Sequence, residues 1–152
     1  MECVIRRATP EDAAAISGVV IAALRESNAR DYAAEIIAQV EQSFTEPDVR
    51  RLIGCRQVYV ALAGLRIVAT ASLDGNVVRS VFVHPDYQAL GIGRRLMSVL
   101  HAAAVEQGLP SLHVPSSVTA QGFYHTLGYE KIRDEFHGAE RTVVMTKTFP
   151  AQ

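Results

Sequence analysis

Residues 83–95 read Val83-His84-Pro85-Asp86-Tyr87-Gln88-Ala89-Leu90-Gly91-Ile92-Gly93-Arg94-Arg95. The apolar run Val77-Val78-Arg79-Ser80-Val81-Phe82-Val83 leads into this stretch. Leu96-Met97-Ser98-Val99-Leu100-His101-Ala102-Ala103-Ala104 leaves it with apolar residues at helical spacing. The order predicted is therefore strand, loop, helix. A loop in that position can aim successive backbone N–H groups into one concave site, and the helix N-terminus adds partial positive charge. Gly91 and Gly93 have no Cβ, so an anion can come close to the backbone. Arg94 and Arg95 fall in the first helical turn, where a cation opposes the helix dipole; an anionic ligand reverses that cost. Taken alone, the same residues also fit a surface loop with solvated arginines. The GxxxxGK-S/T phosphate loop is absent. The dinucleotide fingerprint lacks its third glycine and its downstream ribose acid.

The whole chain bounds the reading. Its 152 residues suit one domain, residues 1–152, with one core of ordinary size. With 49% of residues apolar, the composition argues against disorder. A net charge of −1 points to neither nucleic acid nor an anionic membrane as partner. Cys3 and Cys55 stand far apart with no metal-ligand spacing, so reduced thiols and no metal are expected. Residues 1–15 lack a basic segment followed by an apolar one, and no apolar run spans a bilayer. The expected compartment is the cytoplasm.

Periodicity supplies the other elements. Residues 3–7 read as a short strand. Thr9, Pro10 and Asp12 open a helix carrying Ala13, Ile16, Val19, Val20, Ala23 and Leu24 on one face. A second helix is predicted over residues 29–44, broken by residues 45–48, with a short helical turn over 49–53. Strands over 57–63, 65–73 and 77–83 follow, the last two joined through Asp74-Gly75-Asn76, and should form an antiparallel meander. The helix at 92–107 ends at Gly108. A short strand at 112–114 and a helix at 118–127, capped by Ser117 or Thr119, precede a hairpin of 129–137 and 141–149. The fold class is α/β (α+β): a mixed, mostly antiparallel central sheet flanked by helices, in the order β-α-α-β-β-β-α-β-α-β-β. This is neither a dinucleotide-binding alternation nor an all-β sandwich.

A second constellation lies downstream: Ser117, Ala120, Phe123, Tyr124, Gly128 and Tyr129. Together with Val83-His84-Pro85 and Gln88-x-x-Gly91-x-Gly93, it resembles the GNAT superfamily of acetyl-CoA-dependent N-acetyltransferases. That family carries Q/R-x-x-G-x-G/A after a strand, and later N/S-x-x-A-x-x-F/L-Y-x-x-x-G-F/Y. The element order also matches, so the resemblance covers essentially the whole chain.

The resemblance implies roles. Backbone N–H groups of Gln88, Ala89, Leu90, Gly91, Ile92, Gly93 and Arg94 would hold the coenzyme A pyrophosphate. Backbone atoms of Val81, Phe82 and Val83 would pair with the pantetheine arm, and an N–H near Val83 would polarise the thioester carbonyl. Tyr124 would be the general acid to the departing thiolate; read alone, it is also a fair core residue. Ser117 stands where many members have Asn, with helix capping as its alternative use. The amine must lose a proton, yet Leu112 occupies the strand position where some protein-acetylating members place a Glu. His84, His113, Asp74 and His137 are the remaining base candidates, with a water chain as the default. Arg25, Glu26, Asn28, Arg30, Asp31, Tyr32 and Glu35, facing Asp134, Glu135, His137, Glu140 and Arg141, would border an acceptor pocket. The partners implied are acetyl-CoA and an amine acceptor, and a homodimer is compatible with the family. Two alternatives stay open: a non-catalytic acetyl-CoA-binding regulatory module, and transfer from a longer acyl-CoA.

Overall fold

The computed structural model describes residues 3–150. Seven strands form one sheet: β1 (Val4–Arg7), β2 (Gln57–Ala63), β3 (Arg66–Asp74), β4 (Val77–Val83), β5 (Ser111–Ser117), β6 (Glu130–His137) and β7 (Glu140–Thr148). The helices are α1 (Ala13–Glu26), α2 (Ala34–Glu41), α3 (Glu46–Cys55), α4 (Ile92–Glu106) and α5 (Gln121–Thr126). Sheet order is β1-β2-β3-β4-β5-β7-β6. Every neighbouring pair is antiparallel except β4 and β5.

Each sheet face has its own apolar cluster. On one, Ala13, Ile16, Val20 and Leu24 of α1 pack with Ile37, Val49, Val58 and Val60. On the other, Leu96, Met97, Leu100 and Ala104 of α4 pack with Ala71, Leu73, Val78 and Met145, together with Tyr124 and Tyr129. The central strand β3 is buried over most of its length, so its hydroxyls need partners. Thr70 donates to Tyr59 O at 2.9 Å, and Ser72 donates to Arg79 O at 2.7 Å.

Three helical stretches differ from the predicted ones. The helix expected over 29–44 is a 3-10 turn, Asn28–Arg30, followed by α2, because Ala33 is extended at φ −65° and ψ 153°. Residues 45–48 start α3 rather than break a helix. Thr45 Oγ1 accepts from Asp48 N–H at 3.4 Å, and Pro47 sits in the first turn, where its missing N–H leaves no bond unmade. The helix expected from 118 starts at Gln121. Residues 118–120 form a turn in which Ser117 Oγ accepts from Ala120 N–H at 3.1 Å.

Behind α4, Tyr129 is fully buried and its hydroxyl meets His101 Nε2 at 2.8 Å. Burial, aided by the Lys147 charge, pushes His101 down to about 4 from 6.5. Its folded pKa is depressed, so the unfolded chain takes up the proton first as pH falls. The contribution is complete above the unfolded value and is lost between pH 6.5 and 4. Between pH 7 and 5 the full shift corresponds to about 2 kcal/mol, and solvent screening of a half-buried ring reduces that to about 1 kcal/mol. Urea unfolding at both pH values is expected to show this loss, and His101→Gln is expected to flatten it. An unchanged pH slope in that variant would remove His101 as the cause.

Candidate functional site

The one parallel junction in the sheet is a fork. β4 and β5 are in register only at Val77 and His113, where His113 N–H donates to Asn76 O at 2.9 Å. Two sequence features open the strands beyond that point. On β4, Thr70 pairs with Phe82 and Ser72 with Arg79, which leaves an extra residue opposite Ala71. The bulge is at Ser80, whose φ of +54° is left-handed. On β5, strand alternation puts position 115 on the same side as the His113 N–H, and Pro115 has no N–H to offer. The ladder to β7 is untouched, since Pro115 pairs there with Val144. For that reason β5 runs on to Ser117 instead of stopping at the predicted 114.

The fork opens into a cleft of about 760 Å³, within the size range of small-ligand sites. Of the predicted site residues, Val81, Phe82, Val83, Gln88, Ala89, Gly91, Ile92, Gly93, Arg94, Ser117 and Tyr124 line it. Leu90 is 48% exposed and outside the lining.

The loop before α4 alternates backbone conformations. Ala89 (φ +62°) and Gly91 (φ +81°) are both left-handed. Arg95 N–H bonds Gly91 O at 3.1 Å, so the orphan donors of the first turn belong to Ile92, Gly93 and Arg94. Such a concave set of N–H groups suits an anion. The two glycines serve different needs. Gly91 supplies the positive φ, whereas a Cβ on Gly93 would lie 3.3 Å from Phe123 Cζ and 3.5 Å from Val83 Cγ2. The two arginines also part company. Arg94 lines the cleft, while Arg95 reaches back to Cys3 O at 2.9 Å. Gln88 acts through its side chain as well, its amide donating to Val83 O at 3.1 Å and Ser27 Oγ at 2.8 Å.

On the opposite wall, Tyr124 is 4% exposed, with ring centroids 5.2 Å from Phe123 and 5.6 Å from Tyr129, both edge-on. Burial, then the neighbouring Tyr129, raises its pKa well above the ordinary phenol value, so it stays protonated. Nearby, Thr119 Oγ1 is buried with no hydrogen-bond partner among the described residues.

The predicted base candidates scatter. His84 belongs to another depression, where its Nδ1 accepts from Asp86 N–H at 3.1 Å and its Nε2 lies 3.3 Å from Arg66. His113 sits at the closed end of the fork, outside the cleft lining that its strand suggested. Asp74 lies between Arg56 and Arg79 at 4.0 and 3.9 Å. Only His137 lines the cleft. Of the predicted acceptor border, Asn28, Tyr32, His137 and Glu140 line it. Arg25 pairs with Glu41, Asp134 with Lys131 and Arg141, and Glu135 with Arg133.

Pattern reading passed over Tyr32 as a clasp. Its hydroxyl accepts from Val118 N–H at 2.7 Å and donates to Arg141 O at 2.8 Å. The segment before α2 is thereby tied to both sides of the cleft, and no local motif signals it. Among the described residues no group of three or more His, Cys, Asp and Glu could hold a metal, and no helix is long and apolar enough to cross a membrane. Cys3 is buried and Cys55 exposed, both free.

Residues 26–149 match the acetyltransferase (GNAT) domain. The chain belongs to that family. A solved GCN5-related N-acetyltransferase from Rhodopseudomonas palustris superposes with a TM-score of 0.93 at 25% identity, over 98% of this chain and 97% of that one. The PaiA N-acetyltransferase of Thermoplasma acidophilum, solved with coenzyme A, gives a TM-score of 0.84 at 16% identity, over 98% and 100%. A Bacillus anthracis chain solved with acetyl coenzyme A gives 0.58 at 21% identity, over 62% and 64%. The sequence matches no curated protein at a significant level. The GNAT fold is thus established for this chain, with its acetyltransferase character following from family membership.

Proposed function

We propose that this protein is a single-domain, cytoplasmic N-acetyltransferase that moves the acetyl group of acetyl-CoA to a primary amine by direct attack in a ternary complex. The observation that carries the reading is the fork between β4 and β5, ending at the left-handed loop before α4. Acetyl-CoA, when bound, supplies the thioester. The N–H groups of Ile92, Gly93 and Arg94 hold its pyrophosphate, and the free edge of β4 at Val81, Phe82 and Val83 pairs with its amide arm. Gln88 steadies the loop by bonding Val83 O. The unpartnered Thr119 hydroxyl and Ser117 line the route as further polar contacts. Tyr124, kept neutral by burial, gives its proton to the departing thiolate. The amine loses its proton through water in the cleft, where His137 is the one base candidate in the lining.

A thiol-release assay with acetyl-CoA against amines of several classes, beside a thermal shift with coenzyme A, tests this. Release with one class and a shift of a few degrees are the expected result. A shift without release would make the chain a non-catalytic binding module. Neither response in folded protein would overturn the reading of the loop.

A further inference from the structure

The floor of the cleft, on the face covered by α1–α3, carries two guanidinium groups that the proposed transfer does not use. Arg56, where α3 meets β2, has a side chain only 17% exposed and donates Nη1 to Ser80 Oγ at 3.3 Å. Arg79 lies on β4 just before the bulge, and its Nε is buried with no hydrogen-bond partner among the described residues. Asp74 is the acid near both, at 4.0 and 3.9 Å, which is beyond hydrogen-bond distance. That carboxylate is half exposed, so its charge is screened. Two positive charges therefore share one weakened negative charge. Burial, followed by repulsion from Arg79, lowers the Arg56 pKa, as expected of an under-compensated cation.

The wall beside these arginines is apolar. Ile37, Val40, Phe44 and Phe82 line it, and Phe44 meets Phe82 edge-on at 5.7 Å. Ser80, bonded to Arg56, adjoins Val81, the first β4 residue assigned to the cofactor arm. The arginines thus sit in the same cleft as the β4 segment assigned to the cofactor arm, beside its Val81 end.

We propose that the amine acceptor is an α-amino acid with an aliphatic or aromatic side chain, its carboxylate held by Arg56 and Arg79 and its side chain lying on Phe44 and Phe82. This rests on the reading of the cleft as an acetyl-transfer site. In the step, the amine nitrogen forms a bond to the acetyl carbon and the carbon–sulfur bond breaks. The ammonium gives one proton to water before attack and a second after it, the thiolate takes a proton from Tyr124, water returns a proton to the Tyr124 phenolate, and the carboxylate is unchanged. Guanidinium suits this task through its planar fork of donors.

Calorimetry with coenzyme A present and two product-like probes, N-acetylleucine and N-acetylleucinamide, tests the inference without relying on turnover. The acid is expected to bind about 10- to 30-fold more tightly than the amide. Arg79→Gln and Arg56→Gln are each expected to erase the difference by weakening the acid alone, with Arg79→Lys keeping part of it. The amide serves as an internal control for folding, because a collapsed site loses both probes. Equal affinity for the two probes in the native protein, no binding of either, or an equal loss of both in Arg79→Gln at unchanged thermal midpoint would overturn the inference. Selective acid binding without thiol release from leucine would keep the carboxylate site on the two arginines but overturn the acceptor assignment together with the transfer reading. Release from amines lacking a carboxylate, with no preference between the probes, would sink this inference alone.

Discussion

Tyr124→Phe is expected to lower kcat by about 100-fold while leaving the coenzyme A dissociation constant within about threefold of the native value. The first figure is the lower end of what a positioned general acid contributes. The second follows from what the substitution keeps. Tyr124 is 4% exposed and its ring packs edge-on against Phe123 and Tyr129. Phenylalanine preserves that ring and removes only the hydroxyl, so the apolar cluster beneath α4 stays intact. The native phenol has its pKa raised by burial and by Tyr129, so it stays protonated through pH 9. No alkaline fall in kcat from this group is expected in that range. Rapid-mix kinetics with acetyl-CoA and calorimetry with coenzyme A separate the two effects. A kcat within about threefold of native would mean that water protonates the thiolate. A parallel loss of binding and turnover would make Tyr124 a packing residue.

The elements that local chemistry specifies were legible. The Asp74-Gly75-Asn76 turn, the Gly108 stop and the meander it follows appear as predicted. What misled was chemistry with two uses. Thr45-Glu46-Pro47-Asp48 contains a proline and reads as a breaker, yet proline in a first helical turn is harmless and Thr45 caps α3. Pro115 reads as the end of a strand, yet its missing donor faces only the gap beside β4. The split before α2 depends on Tyr32 bonding residues 86 and 109 positions away, which no window of sequence contains.

The site was legible in the same uneven way. The loop and Tyr124 lie on contiguous motifs, and both line the cleft. The acceptor side is assembled from α1, α2, the residues flanking α3, β4 and the β6–β7 hairpin, so its residues meet only in three dimensions. Of the six acids predicted at the acceptor border, Asp134 and Glu135 are paired on the surface with Lys131, Arg141 and Arg133, and only Glu140 lines the cleft. Arg79 showed itself only as a cation inside an apolar strand run, and Arg56 not at all. The Ser80 bulge is equally silent: a serine with positive φ follows from tertiary pairing, not from a turn signal.

Gly91→Val is expected to weaken coenzyme A binding by about 10- to 100-fold with a small change in thermal midpoint. Gly91 has φ +81°, and a Cβ there would meet nothing within 4 Å, so the cost is backbone strain rather than collision. A left-handed conformation costs an ordinary residue about 1–2 kcal/mol, and a β-branched one more. Because the loop is exposed, it escapes by leaving that conformation, and the fold loses little. What it loses is the convergence of the Ile92, Gly93 and Arg94 N–H groups, so only a minor population can bind and the apparent affinity falls by that fraction. Gly93→Ala provides the contrast. Its Cβ would press on Phe123 and Val83, so its effect falls on the packing of α4 against α5, read as a lowered thermal midpoint. Calorimetry and thermal unfolding of both variants distinguish strain in a binding loop from crowding in a core. Native affinity in folded Gly91→Val would show that the left-handed loop does not hold the pyrophosphate, and Arg94 would then be the residue to test for that anion.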